Sequence, residues 1–430
     1  MMSQTSLKNL KTPIAIVGLG KSGNSALNLL KAAGFSDSDL LTYDDKDSSA
    51  QFCQSADIIQ KNPQTLVVSP GVPLVTAWIQ NLIKAGAHLT SEISLTARLL
   101  TTEKVIGITG SVGKSTVTSI LGVAAIAEDE NSFVGGNLGT PFCAYGLSLV
   151  SGKTPARWVV LELSSYQLEN CAGLNLDYSA ITFLSPNHLE RYESLEQYYH
   201  TKLKITAITK NLCVVNQSSP DAIKFSDLAS CPVKLVNAKN NLSDDQAEKV
   251  ALIGQHNHDN FAVAQELGKA AGFKSSSLDQ MYKFKGLAHR LENVGVVNGV
   301  TYVNDSKATA MDSVLVATEG CLEKVSDKHT LHLLLGGKDK NLPWEQLSVL
   351  KDETRIQFVF FGACGDLAKE KTKLNGPTFK NLGAALDYVL SVEKTGDMVL
   401  LSPGGTSLDE FKNFEERGHF FTKKVIRFAK

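Results

Sequence analysis

The chain has 430 residues, long for one compact core and enough for about three domains at the usual ~150 residues each, so a small disulfide-stapled fold is excluded. With 43 Lys+Arg against 44 Asp+Glu, net charge −1, no electrostatic excess drives non-specific binding to nucleic acid or an anionic membrane. Hydrophobic residues at 43% and charged ones at 20% exclude a disordered chain.

Short apolar strands alternating with longer helical patterns predict parallel α/β sheets in three segments, residues 1–100, 101–287 and 288–430. The first holds strand IAIVG, a helix from Asn24 to Ala33, strands LLTYD and TLVVSPG, and a helix around Ala77 to Ala85. The second holds strand KVIGITG, a helix from Ser115, strands RWVVLEL and YSAITFL, a polar helix near Gln197 to Thr209, and strand LCVVN. The third opens near Arg290 with VGVVNGVTYVND and continues through strands LHLLLGG, IQFVFFG and DMVLLSPGG. The apolar start IAIVGLG is too short for a signal peptide, and no run reaches the ~18 apolar residues of a membrane helix. Seven scattered cysteines with no C-x-x-C pair argue for reduced thiols and against zinc, so a cytoplasmic protein is expected.

Two glycine loops follow strands and open helices. GLGKSG, Gly18 to Gly23, with Asp44 and Asp45 closing the next strand, fits a diphosphate lying on a helix N-terminus; NAD and a nucleotide-diphosphate sugar satisfy it equally, and a tight turn binding nothing is the bland alternative. TGSVGKST is a shortened phosphate loop: backbone N–H groups around Gly110, Ser111 and Gly113 converge on phosphate, Lys114 neutralises it, and Ser115 or Thr116 reaches Mg²⁺. Its alternative is an ordinary glycine turn with a solvated lysine. Glu162 ends a continuous apolar strand at a sheet's carboxyl edge, where a cation ligand or a plain solvated carboxylate would sit. His188 and Lys202, taken alone, read as structural and as solvated. GQHNHDN would cap a helix or read a purine edge, and NDSKAT would serve ribose or phosphate or cap the next helix.

In sequence and spacing, GLGKSG, VVSPGVPL, TGSVGKST, GGNLG, LELSSYQLE, NHLERY, GQHNHDN, GLAHRLE, NDSKAT, LLLGGKDK and LLSPGGTSLDEFKNFEERG resemble the Mur ligases of peptidoglycan assembly, from Ile14 to Phe421. The ending SLDEFKNFEERG resembles the branch that adds D-glutamate to UDP-MurNAc-L-Ala. The resemblance implies three domains: Rossmann-like for UDP, a central P-loop ATPase, and a Rossmann-like domain closing over the site. It also implies ATP and Mg²⁺, an acyl-phosphate intermediate, small-molecule partners only, and a monomer. By the same resemblance Lys114 and Ser115 hold phosphates and the first Mg²⁺ with Glu162, His188 binds the second, and Lys202 is a carbamate ligand. Asn257, Asn260, Arg290 and Asp305 serve ATP. Gly18, Lys21, Ser22, Asp44, Asp45 and Gly71 contact UDP, and Asn137, Gln167 and His188 line the muramoyl path. Thr309, Lys340, Ser407 and Phe414 position D-glutamate. The chain departs from the family pattern at Val112, Asn187 and Ala310, and at Asp45, where threonine is also seen. Rival readings are another Mur or folylpolyglutamate-type ligase, an NAD(P)-dependent oxidoreductase, which leaves TGSVGKST unexplained, and a nucleotide-sensing module without turnover.

Overall fold

The computed structural model describes residues 7–186 and 191–428, so Asn187 and His188 lie outside the described residues. Three sheets carry the fold. The first joins β1 (Ile14–Val17), β2 (Leu40–Tyr43), β3 (Thr65–Val68) and β4 (His88–Thr90) in the order β2-β1-β3-β4, all parallel. Strand side chains alternate between faces, and both faces of β1 are covered: Ile14 and Ile16 pack in one core, Ala15 and Val17 in another.

The second sheet contains β5 (Lys104–Thr109), β6 (Phe133–Gly136), β7 (Trp158–Glu162), β8 (Leu176–Ile181), β9 (Thr209–Asn216) and β10 (Val233–Val236), again parallel, in the order β10-β9-β8-β5-β7-β6. Chain order switches direction at β5, which leaves a crevice at its carboxyl end. Helices Lys21–Ala32, Glu92–Ala97 and Phe142–Val150 pack together between the first two sheets. At Gly146 a Cβ would meet Thr96 Oγ1 at 2.9 Å.

The third sheet contains β11 (Glu292–Val297), β12 (Val300–Asn304), β13 (Leu331–Gly336), β14 (Ile356–Phe361), β15 (Thr378–Phe379) and β16 (Met398–Gly404), in the order β11-β12-β16-β13-β14-β15. Its edge departs from the parallel expectation, because β11 and β12 form an antiparallel hairpin. Asn298 and Gly299, at φ 52° and 80°, supply the two positive-φ positions that a two-residue hairpin turn needs. The short strands β4, β6, β10 and β15 and the helix Ser55–Gln60 carry too little periodicity to be read from sequence. Helix Lys21–Ala32 begins ahead of the expected position, and Lys202 lies on the helix Leu195–Ala207.

Contacts divide the chain into two units, residues 1–243 with 259–281, and residues 244–258 with 282–430. The first holds two sheets and the second holds one. Among the described residues no helix is long and apolar enough to cross a membrane.

Candidate active site

The carboxyl end of β5 runs into the second glycine loop. A Cβ on Gly110 (φ 150°) would lie 1.9 Å from Thr182 Oγ1, and one on Gly113 (φ 89°) 2.4 Å from Asn260 Oδ1, so both positions require glycine. The helix Lys114–Glu128 starts directly after Gly113 with no side-chain cap, so its first N–H groups face the loop. The cradle is narrower than the expected span, because the Ser111 and Val112 N–H groups donate to the Phe183 carbonyl at 2.9 and 3.1 Å. Ser111 Oγ donates to the Ser185 carbonyl. The amides that an anion seated on the helix start would meet are therefore those from Gly113 onward, through Lys114, Ser115 and Thr116.

Two lysines meet at one carbonyl. Lys114 Nζ donates to Gly110 O at 2.8 Å and to Ser111 O at 2.9 Å, and Lys202 Nζ donates to the same Gly110 O at 2.8 Å. Lys202 is 2% exposed. Burial, then the Lys114 charge, pulls its amine down to about 6, so it is largely neutral at neutral pH. Beside them, at the end of β7, Glu162 pairs in register with Ile108 of β5 and is 2% exposed. Its Oε1 accepts from Asn137 Nδ2 at 2.6 Å, while its buried Oε2 has no partner among the described residues. No cluster of three or more metal-ligating side chains occurs among the described residues. An unpartnered carboxylate oxygen beside a phosphate loop fits Mg²⁺, which takes one or two carboxylates and completes its shell with phosphates and water.

The first glycine loop opens onto a cavity of about 430 Å³. Gly18, Lys21, Ser22, Asp44, Asp45 and Gly71 line it from the first sheet, and Asn137 and Gln167 from the second, so one cavity gathers the residues expected to meet UDP apart from His188. Gly23 needs glycine because a Cβ would lie 1.8 Å from Gly18 O. Asp44 accepts from the Leu19 N–H at 2.8 Å, and that bond and Lys46 N–H hold its carboxyl below the ordinary range. Asp44 thus ties down the loop.

Arg191 was not legible as a site residue. Its guanidinium donates to the Pro70 carbonyl at 3.0 Å, pairs with Glu169 at 2.8 Å and lies 4.1 Å from the Tyr166 ring centre. It therefore pins the Gly71 turn to the second sheet. NHLERY carries it in sequence, but no spacing in that stretch marks it as a clamp.

In the second unit the residues expected to serve D-glutamate and ATP leave adjacent strands at one sheet edge: Asp305 and Thr309 after β12, Ser407 after β16, Lys340 after β13. Lys338 and Thr406 exchange backbone bonds at 2.8 and 2.9 Å, bringing those two loops together. Asp305 accepts from Ser402 Oγ at 2.8 Å and from the Leu291 N–H at 3.2 Å, which draws the Arg290 turn to it; burial raises its carboxyl to about 7. Phe414 lies under Lys307, 4.0 Å from ring centre to Nζ. Buried Arg417 donates to the Ser306 and Gly405 carbonyls at 2.9 and 3.1 Å, and His289 Nδ1 lies 3.0 Å from Asn304 Nδ2. Neither was singled out in sequence, although GLAHRLE and FEERG contain them. Asn257 and Asn260 lie on one helix, Gln255–Ala271; Asn257 groups with the second unit and Asn260 with the first.

Residues 108–269 match the Mur ligase middle domain. A UDP-N-acetylmuramoylalanine--D-glutamate ligase of Photorhabdus laumondii is 34% identical over 435 residues, covering 95% of this chain and 97% of the relative. The chain belongs to this ligase family. The relative of the same name from Aliivibrio salmonicida is 37% identical over 375 residues, 83% of this chain and 82% of its own. In fold, the chain is similar to a MurF ligase of Thermotoga maritima crystallised with ADP, with a TM-score of 0.60, 15% identity, and 86% and 91% of the two chains covered. Of the expected departures from the family pattern, Val112 is exposed and its N–H donates to the Phe183 carbonyl, and Ala310 starts the helix Met311–Leu322 without a side-chain cap.

Proposed function

We propose that the chain joins D-glutamate to UDP-MurNAc-L-Ala at the expense of ATP, as a cytoplasmic monomer whose residues 1–100, 101–287 and 288–430 serve UDP, ATP and D-glutamate. The observation that carries the reading is the meeting of Lys114 and Lys202 on Gly110 beside the unpartnered Glu162 oxygen, in a chain alike over nearly its whole length to ligases of that name. A carboxylate is a poor electrophile. Phosphorylation by ATP turns it into an acyl phosphate with a leaving group; the amine of D-glutamate then attacks the carbonyl carbon, and phosphate departs through a tetrahedral intermediate. Lys114 and the first helix amides stabilise the charge on the transferring group, usually the largest task in such chemistry.

Ser115 and Glu162, with His188, would hold Mg²⁺, which neutralises phosphate charge when bound. Lys202 would serve as a carbamate: its buried amine is the neutral nucleophilic form that carbon dioxide requires. Asn257, Asn260, Arg290 and Asp305 would serve ATP. Lys21, Ser22, Asp45 and Gly71 would meet the uridine diphosphate, and Asn137 and Gln167 the sugar. Thr309, Lys340, Ser407 and Phe414 would seat D-glutamate, Lys340 by its charge.

Purified protein should release phosphate and form product in equal amounts only with ATP, Mg²⁺, UDP-MurNAc-L-Ala and D-glutamate together. Phosphate release that needs neither acceptor overturns the reading. Replacement of D-glutamate by L-alanine, diaminopimelate or a dipeptide separates it from other amino acid ligases, and nicotinamide binding would favour an oxidoreductase.

A further inference from the structure

Glu92 is a buried carboxylate that the chemistry above does not use. It is the first residue of the helix Glu92–Ala97 and only 2% exposed. One oxygen, Oε2, accepts from the Cys143 N–H at 3.0 Å, in the first turn of the helix Phe142–Val150, whose preceding turn supplies Asn137 to the nucleotide-sugar cavity. The other, Oε1, accepts from Gln167 Nε2 at 3.3 Å. Gln167 is itself 3% exposed and lines that cavity.

A glutamine amide is nearly symmetrical in shape, so its surroundings decide which end carries the donor. At Gln167 both ends are committed. Its Oε1 accepts from the Ser164 N–H at 3.0 Å in a capping box, and its Nε2 faces the Glu92 carboxylate. These two bonds fix which end of the amide is the donor and commit one Nε2 N–H to Glu92, leaving the other as the donor that Gln167, which lines the cavity, has to offer an acceptor on a ligand. We infer that Glu92 is a positioning residue for the nucleotide-sugar substrate, fixing the Gln167 amide so that the cavity presents a donor to a carbonyl, hydroxyl or phosphate oxygen. This rests on the proposed ligase reading.

The test is steady-state kinetics and UDP-MurNAc-L-Ala binding by calorimetry on wild type, Glu92→Gln and the exchange Glu92→Gln with Gln167→Glu. Glu92→Gln should raise KM for UDP-MurNAc-L-Ala about tenfold, equivalent to one lost hydrogen bond, with kcat and the other two KM values changed less than about twofold. The exchange restores the buried bond with donor and acceptor reversed, and glutamate is equally at home in the capping box. Its melting temperature should return to the wild-type value while UDP-MurNAc-L-Ala affinity stays weak, because the cavity now meets a carboxylate. Affinity returning with stability, or three KM values rising together in Glu92→Gln, overturns the inference in favour of plain packing. Absence of turnover in wild type would instead overturn the ligase reading.

Discussion

The two glycine loops of the first unit are the same backbone device in different electrostatic settings. Each follows a central parallel strand, turns on glycine and opens a helix whose cap is glycine without a side-chain bond. Around Gly18 to Gly23 the cavity's charges are Lys21, Asp45 and Lys46, all exposed, and Asp44, half-buried and spent on the loop's own Leu19 N–H. Around Gly110 to Lys114 two lysines share one carbonyl, one of them buried, next to a buried carboxylate with an unused oxygen. Helix amides suffice to hold a phosphate. Transferring one calls for charge in a water-poor place, where it acts more strongly. On the proposed reading, the first loop binds and the second carries the chemistry.

Removing charge should therefore hurt the second loop most. Lys114→Ala should lower kcat by about 10³-fold, the upper range for losing one group that stabilises transition-state charge; a loss under tenfold in single-turnover phosphate release would break the comparison. Lys202→Ala should cost about 10²-fold in kcat, with partial recovery on adding a short carboxylic acid that restores an acidic oxygen. A kcat for Lys202→Ala equal to wild type would place the lysine among the scaffold. Gly113→Ala is expected to cost about tenfold in kcat/KM for ATP, because the new Cβ must displace Asn260 at a positive φ that alanine resists.

Both loops were legible because strand, glycine spacing and helix are short-range properties; the cavity's other walls, in VVSPG, GGNLG and SSYQLE, were expected only through the family resemblance. What stayed hidden is burial. Arg191 and Glu92 are charged residues in polar-looking stretches, and only the packing of the first sheet against the second turns one into a clamp and the other into an anchor. The same applies to the Phe183 carbonyl, which takes two amides from the phosphate loop, and to Asn260, whose contact with Gly113 spans far in sequence.

Glu92 is the exception on the binding side, a buried carboxylate behind the first cavity, and its titration sharpens the contrast. Burial raises its folded pKa from 4.5 to about 7. The folded state therefore holds a proton that the unfolded chain gives up, and this contribution is complete below about pH 4.5 and lost as pH rises through about 7. Glu92→Gln has no such titration. Its melting temperature relative to wild type should therefore climb by a few degrees between about pH 5 and about pH 8, read by calorimetry. A pH-independent difference would mean that the carboxylate ionises in the fold as easily as in water.

The smallest expected effect lies in the second unit and asks whether a bare helix start always signals a ligand. The helices after Ser91, Ser164, Ser194 and Ser219 are capped by serine side chains, whereas the two at the glycine loops have no side-chain cap. Ala310 also leaves its helix uncapped, in an extended conformation (φ −147°, ψ 148°) that a capping residue adopts without strain. If those amides are merely unsatisfied, Ala310→Asn supplies an acceptor and should stabilise the protein by about 1 kcal/mol, or about 2–4 °C, with turnover unchanged. If they hold an anionic group of a substrate, the asparagine competes with it, and the gain in melting temperature should be accompanied by a higher KM for D-glutamate or ATP.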